Sequence, residues 1–270
     1  MDHILVAATH SHATPATCPS FLSGSLPDPL YVDFFVEQVC NAVKQARANL
    51  APAVLVSGEC TSPGFEYNRR LLRPSGLVVM DGASNADSAY PPAGPVDSVV
   101  PFLAFEDASG KPIAVMVNYA CHNNSVGGVY HSDIGGRTGE AIRRRLEIDV
   151  PTPFLEAPCG DVIWHKMGEA HARGDARATE IGEAIGEVVV NAYRAGERQE
   201  VGEVKMVQEV LEIADRSWEE STFCRDDSRG DRHSDRIKQR RRYDPEEEAI
   251  LARGKTVCSV EIQGISFGDT

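Results

Sequence analysis

Two histidines one residue apart, His10 and His12, follow the apolar run Ile4–Ala8 in the stretch LVAATHSH. In an extended run, alternate side chains share a face, so the spacing predicts both imidazoles on one side of a strand end. Paired imidazoles can hold a transition metal or act as an acid–base pair. A second apolar run, PIAVMVNYA (112–120), ends in Cys121 and His122. Strand ends along one edge of an α/β sheet share a crevice, so His10, His12 and His122 could converge there. Zinc would take neutral imidazole nitrogens together with oxygen ligands and leave one position for water. Each ligand imidazole then needs an acceptor for its other N–H, for which Asp133 and Asp161 are candidates. Arg69, within Asn68-Arg69-Arg70, could bind an oxyanion or a carboxylate near such a metal. Each residue also has a plainer reading. His122 can be a hydrogen-bonded structural residue, Gly160-Asp161 an Asx-type turn, and Ser132-Asp133 a helix cap. His3, His131, His165, His171 and His233 lack comparable context and are expected not to be ligands.

The elements that must position these residues follow from apolar periodicity. After the His-x-His, Ala13–Pro29 reads as a loop, because Pro15, Pro19, Pro27 and Pro29 disfavour regular structure. Tyr31–Leu50 has Phe34, Phe35, Val39, Val43 and Ala46 at helical spacing, with Asp33 favouring its N-terminal end. Ala53–Ser57 is a strand, and Gly58–Pro74 a loop carrying Glu59 and Arg69. Leu77–Met80 is a short apolar stretch, and Asp81–Pro95 a Gly-, Ser- and Pro-rich excursion. Val96–Glu106 and Pro112–Ala120, joined at Ala108-Ser109-Gly110-Lys111, form a hairpin. Asn123–Gly136 is a loop, Arg137–Ile148 a helix and Thr152–Ala157 a strand. Ala176–Arg194 is a helix with Ile181, Ile185, Val188, Val189 and Ala192 inward. Its Gly182 and Gly186 permit close packing on a sheet. Glu203–Ile213 and Thr256–Phe267 are strands, and Pro245–Ala252 is a short helix. The pattern predicts an α/β fold with a mixed β-sheet covered by helices and a hairpin inserted. Residues 1–270 are read as a single domain. Within it, 215–255 has eleven acids and eleven bases and is read as a charged surface segment.

Bulk composition removes several function classes. The chain has 270 residues, is 42% hydrophobic and carries a net charge of −13, which supports a substantial core and disfavours nucleic-acid binding. No stretch approaches the roughly 18–20 apolar residues of a membrane span. No signal-peptide pattern opens the sequence, so it reads as cytoplasmic as it stands, and as secreted if a leader precedes it. The seven scattered cysteines predict reduced, mostly buried thiols.

Five motifs in order carry a family resemblance: ATHSHATPA (8–16), YNRR (67–70), GKPIAVMVNYACH (110–122), HSDIGG (131–136) and APCGDV (157–162). Their order and spacing resemble the N-terminal catalytic domain of the neutral, non-lysosomal ceramidases. The resemblance implies a zinc-dependent amidase of sphingolipid metabolism that splits the N-acyl bond of ceramide into fatty acid and sphingosine. It makes His10 and His122 zinc ligands, and His12 with Arg69 the groups that stabilise developing charge on the substrate. The family's other ligands, a Glu in a Pro-Gly-Glu segment and a Tyr, lie further along. This reading therefore expects them beyond Thr270 and expects a fragment truncated at both ends. Ile163 and Trp164 stand where those ceramidases have Ser and Pro, a departure that bears on the substrate rather than the metal. The implied partner is a small-molecule amide or lipid. Two alternatives compete: a non-catalytic binding or interaction module on the same scaffold, and an unrelated hydrolase using Glu59 or Asp161 as a base.

Overall fold

A computed structural model of the chain describes residues 5–18, 26–74, 76, 78–80, 89–199, 202–214 and 257–268. The elements are α1 (Pro29–Ala48), β1 (Val54–Thr61), β2 (Tyr67–Asn68), β3 (Leu71–Leu72), β4 (Val78–Val79), β5 (Val99–Glu106), β6 (Pro112–Tyr119), α2 (Asp133–Leu146), β7 (Phe154–Glu156), β8 (Val162–Ile163), α3 (Asp175–Ala195), β9 (Arg198–Gln199), β10 (Val204–Ala214) and β11 (Val257–Phe267).

Alternation of side chains builds the central sheet. Val100, Phe102, Ala104 and Glu106 of β5 point inward, as do Val115, Val117 and Tyr119 of β6. Asp107 Oδ1 accepts from the backbone N–H groups of Ser109 and Lys111 and closes the β5–β6 turn. The five-stranded sheet runs β7-β6-β5-β1-β9. Its β6–β7 pair is parallel and its other pairs are antiparallel, so the α/β reading with a mixed sheet holds. The hairpin read at 96–120 is β5–β6, and it occupies the middle of this sheet.

Helix α3 lies over β1 and β5, and α2 lies beside it. Ile134 and Ile142 of α2 and Ile181, Ile185 and Val189 of α3 join Val56, Phe102, Val117 and Trp164 in one core. The glycine spacing in α3 serves the helix pair rather than the sheet. A Cβ at Gly182 would lie 2.6 Å from the Arg137 carbonyl carbon, and one at Gly186 would lie 2.6 Å from Ala141 Cβ. At the far end of α3, Tyr193 OH donates to the buried Glu106 at 2.6 Å. Arg198 donates to both oxygens of the same carboxylate.

Several expectations need correcting. Leu5–His10 is not a buried strand: it joins no ladder, and Leu5 and Val6 are exposed. An apolar run becomes a strand only where a neighbouring strand takes its backbone hydrogen bonds, and none of the described strands pairs with it. Pro29 does not end the loop but opens α1, with Asp28 Oδ1 accepting from Leu30 N at 2.9 Å. The periodic stripe on α1 is real, yet no residue of that helix is buried. Strand β1 continues through Glu59 to Thr61. Helix α2 begins at Asp133, so Gly135 and Gly136 lie in its first turn. They are required there, because a Cβ at Gly135 would meet the Phe154 ring at 2.9 Å. Of the six described cysteines, Cys121 and Cys159 are buried while Cys18, Cys40 and Cys258 are exposed. The final strands, β10 and β11, pair with each other along their whole length, and most of their apolar side chains stay exposed. The charged segment 215–255 and the helix read at 245–252 lie outside the described residues.

Candidate metal centre

Strand β6 delivers His122. The apolar run ends at Ala120, and the chain turns so that the His122 backbone N–H donates to Val162 O at 3.3 Å. The ring is buried, and its Nδ1 lies 2.9 Å from Cys159 O. A carbonyl only accepts, so Nδ1 carries the proton and Nε2 is left with a free lone pair. The acceptor expected from Asp133 or Asp161 is thus a backbone carbonyl instead.

His10 and His12 arrive by a different route from the one their spacing suggests. His10 has φ +53°, a left-handed conformation uncommon outside glycine, followed by a tight turn through Ser11–Thr14. Strand alternation does not bring the two rings together; this kink does. The turn is tied to the segment after β6: His12 N donates to Asn123 O, Ser11 Oγ to His131 O, and His131 N to Ala13 O. Ala13 packs with Val126 and Ala178 in a small apolar cluster beneath.

The three rings meet. His10 Nε2 lies 3.1 Å from His122 Nε2 and 3.3 Å from His12 Nε2. Among the described residues, these three are the one set of histidine, cysteine and acidic side chains grouped closely enough to hold a metal ion. Ligands of a tetrahedral zinc ion, each bonded at about 2.0–2.1 Å, stand about 3.3–3.4 Å apart, so the nitrogen spacing fits that geometry. Desolvation lowers the pKa of both His12 and His122. His10 and the positive charge of Arg69 lower both further, and at His122 the Cys159 carbonyl opposes the shift. Neutral imidazoles are the form that binds metal.

Arg69 belongs to the same neighbourhood. Its backbone N–H donates to Asp161 O at 2.7 Å, and its Nε and Nη2 both donate to Gly160 O. These two hydrogen bonds to one carbonyl set the plane of the guanidinium. Asp161 does not reach the histidines; its Oδ2 accepts from Asn68 Nδ2 at 3.0 Å and holds the Arg69 turn in place. Asp133 is equally structural, accepting from the backbone N–H groups of Ser125, Val126 and Ile134. His131 joins Asp175 and Arg137 in an ion-pair network beside the α2 N-terminus. Glu59 is an exposed residue of β1 opposite Pro101. Neither Glu59 nor Asp161 enters the histidine cluster. Sequence reasoning missed Asn123 and Asn124, treated there as loop. Asn124 Oδ1 accepts from the buried Trp164 Nε1 at 2.8 Å. Two amides directly after a strand-end histidine were the available signal.

Fold and cluster together define an α/β protein with a histidine-rich candidate metal centre at a strand end. Solved structures that share this fold include two ceramidases. One, described as a ceramidase complexed with C2, aligns at TM-score 0.58 and 19% identity, covering 77% of this chain and 32% of the other. The second is neutral ceramidase from Pseudomonas aeruginosa, at TM-score 0.56 and 19% identity, covering 77% and 33%. The likeness is one of fold, and this chain spans about a third of the length of those structures. No family model and no curated protein matches the sequence. Among the described residues no helix is long and apolar enough to cross a membrane.

Proposed function

We propose that the protein is a zinc-dependent hydrolase of a linear amide, of the neutral ceramidase type, cleaving N-acylsphingosine to fatty acid and sphingosine. The observation that carries this reading is the 3.1 Å approach of His10 and His122 Nε2 on a scaffold shared with ceramidase structures. His10 and His122 hold the ion; His12 and Arg69 face the substrate. A zinc ion held there supplies Lewis acidity, acidifying water towards pKa about 7 and polarising a carbonyl.

The chain's own groups do the rest. The hydrogen bond from His122 Nδ1 to Cys159 O fixes the ring plane and the tautomer. His12, kept neutral, and the Arg69 guanidinium stabilise negative charge as it develops on the amide oxygen. Arg69 is suited to this because its fork is already anchored by Gly160 and loses little freedom on binding an anion. An amide nitrogen leaves poorly as an anion, so a proton must reach it as the C–N bond breaks.

The test is turnover by the zinc-loaded protein on ceramide and on shorter N-acyl amines. Release of sphingosine supports the ceramidase reading. Turnover of shorter amides alone assigns a relative with another substrate. No amide cleavage by a zinc-loaded protein would overturn the hydrolase reading.

A further inference from the structure

We propose that Asn123 is the positioning residue of the histidine cluster, clamping the His10–His12 turn onto the end of β6. The inference rests on the zinc reading above and extends it to a residue without ligand or substrate contact. Asn123 is completely buried, and its hydrogen-bonding groups reach three separate places. Its Nδ2 donates to Thr9 O at 3.0 Å, its backbone carbonyl accepts from His12 N at 3.2 Å, and its Oδ1 accepts from Gly135 N at 3.3 Å. The assignment of the amide is unambiguous, since Thr9 O can only accept and Gly135 N–H can only donate.

The placement matters because of what surrounds it. Residues 5–10 join no strand, so the usual device for fixing a strand-end histidine is missing here. His10 also sits in a left-handed conformation that surrounding contacts must impose. Asn123 grips the chain on both sides of that residue, at Thr9 and at His12. It is bonded covalently to His122, so the same residue sets the third ring. Its link to Gly135 ties the assembly to the first turn of α2, a rigid element of the core. Among the described residues, the other ties on the turn, from Ser11 and Ala13 to His131, act only after His10.

Two substitutions separate these roles. Asn123→Asp keeps the acceptor for Gly135 but removes the donor to Thr9; Asn123→Ala removes both. The whole protein is measured in two ways. With metal, zinc affinity is read by chelator competition, and the visible spectrum of the cobalt-substituted protein reports coordination geometry. The expected result is a tenfold or greater loss of zinc affinity in both variants, with a changed cobalt spectrum. A variant with lower thermal stability but wild-type affinity and spectrum would make Asn123 merely structural and overturn the proposal. Without metal, hydrogen exchange of the 9–14 backbone should quicken at least tenfold in both variants, while α3 stays as protected as in the wild type. Unchanged exchange at 9–14 overturns the proposal whatever the metal result. A wild type that takes up no zinc overturns the zinc reading instead, and the exchange measurement then decides the role of Asn123 alone.

Discussion

His122 commits Nδ1 to the protein and turns Nε2 toward His10, and the proposed chemistry rests on this division. Cys159 O takes the Nδ1 proton, so Nε2 faces His10 with a lone pair. Burial and the neighbouring positive charge keep His122 and His12 below the ordinary imidazole pKa of about 6.5. Protons compete with metal for the same lone pairs, so lowered pKa values carry metal binding to lower pH. The His122 contribution to the pH dependence of zinc affinity should therefore set in only below about pH 6.5, as read by chelator competition across pH. A decline already complete above pH 7 would contradict the lowered values. Arg69→Lys tests the substrate side: losing the planar fork should reduce kcat by about 10²–10³-fold while zinc content is unchanged. The residue types were legible in the sequence, since His10, His12, Arg69 and His122 all stood out. Their supports were not. A backbone carbonyl as acceptor leaves no trace in residue type, and the left-handed turn at His10 contradicts the alternation that first linked the two histidines.

At the scale of elements, α2 and α3 are held by contacts that admit no side chain at Gly182 and Gly186. Gly182→Ala would drive a methyl into the backbone of Arg137, and overpacking of this kind costs about 1–3 kcal/mol. Urea unfolding should show that loss, whereas Ala184→Ser on the same helix should change stability little. Strand β7 carries a second test. Glu156 has both carboxyl oxygens buried, and desolvation raises its pKa to about 8, with the nearby Cys159 thiol opposing the shift. The folded protein then keeps a proton that the unfolded chain loses near pH 4.5. The contribution of Glu156 to stability should be greatest below that value, decline as pH rises to about 8, and level off above. Glu156→Gln should flatten this slope in pH-dependent thermal melts; an unchanged slope would contradict the assignment. Helical periodicity exposed α2, α3 and α1 in the sequence, and alternation exposed the β5–β6 hairpin. The start of α2 was missed because Gly135 and Gly136 look like loop residues; the Phe154 ring explains the first and the Ser132 side chain the second. The period of α1 was read correctly, but periodicity says nothing about what a stripe will touch.

Across the whole molecule, the site is assembled from segments distant in sequence: the His10–His12 turn, the Arg69 turn and the end of β6. Short β2–β8 pairing brings Asn68 and Val162 together and so places Arg69 beside His122. The α/β class was legible from apolar runs ending in polar residues, but only His122 stands at a strand end, and His10 and His12 reach it from a segment that joins no sheet. The order of strands was not, because it depends on pairings that no local pattern specifies. An ion bound by the folded cluster and not by the unfolded chain also stabilises the fold, by about 2.7 kcal/mol at a hundredfold excess over Kd. Zinc should accordingly raise the melting temperature of the wild type and leave that of His122→Ala unchanged.

The most direct measurement is the zinc content of the purified protein after dialysis, compared with His10→Ala and His122→Ala. One zinc per chain in the wild type and loss of it in both variants is the predicted result. Stoichiometric zinc retained in both variants would contradict the metal centre on which the proposed chemistry rests.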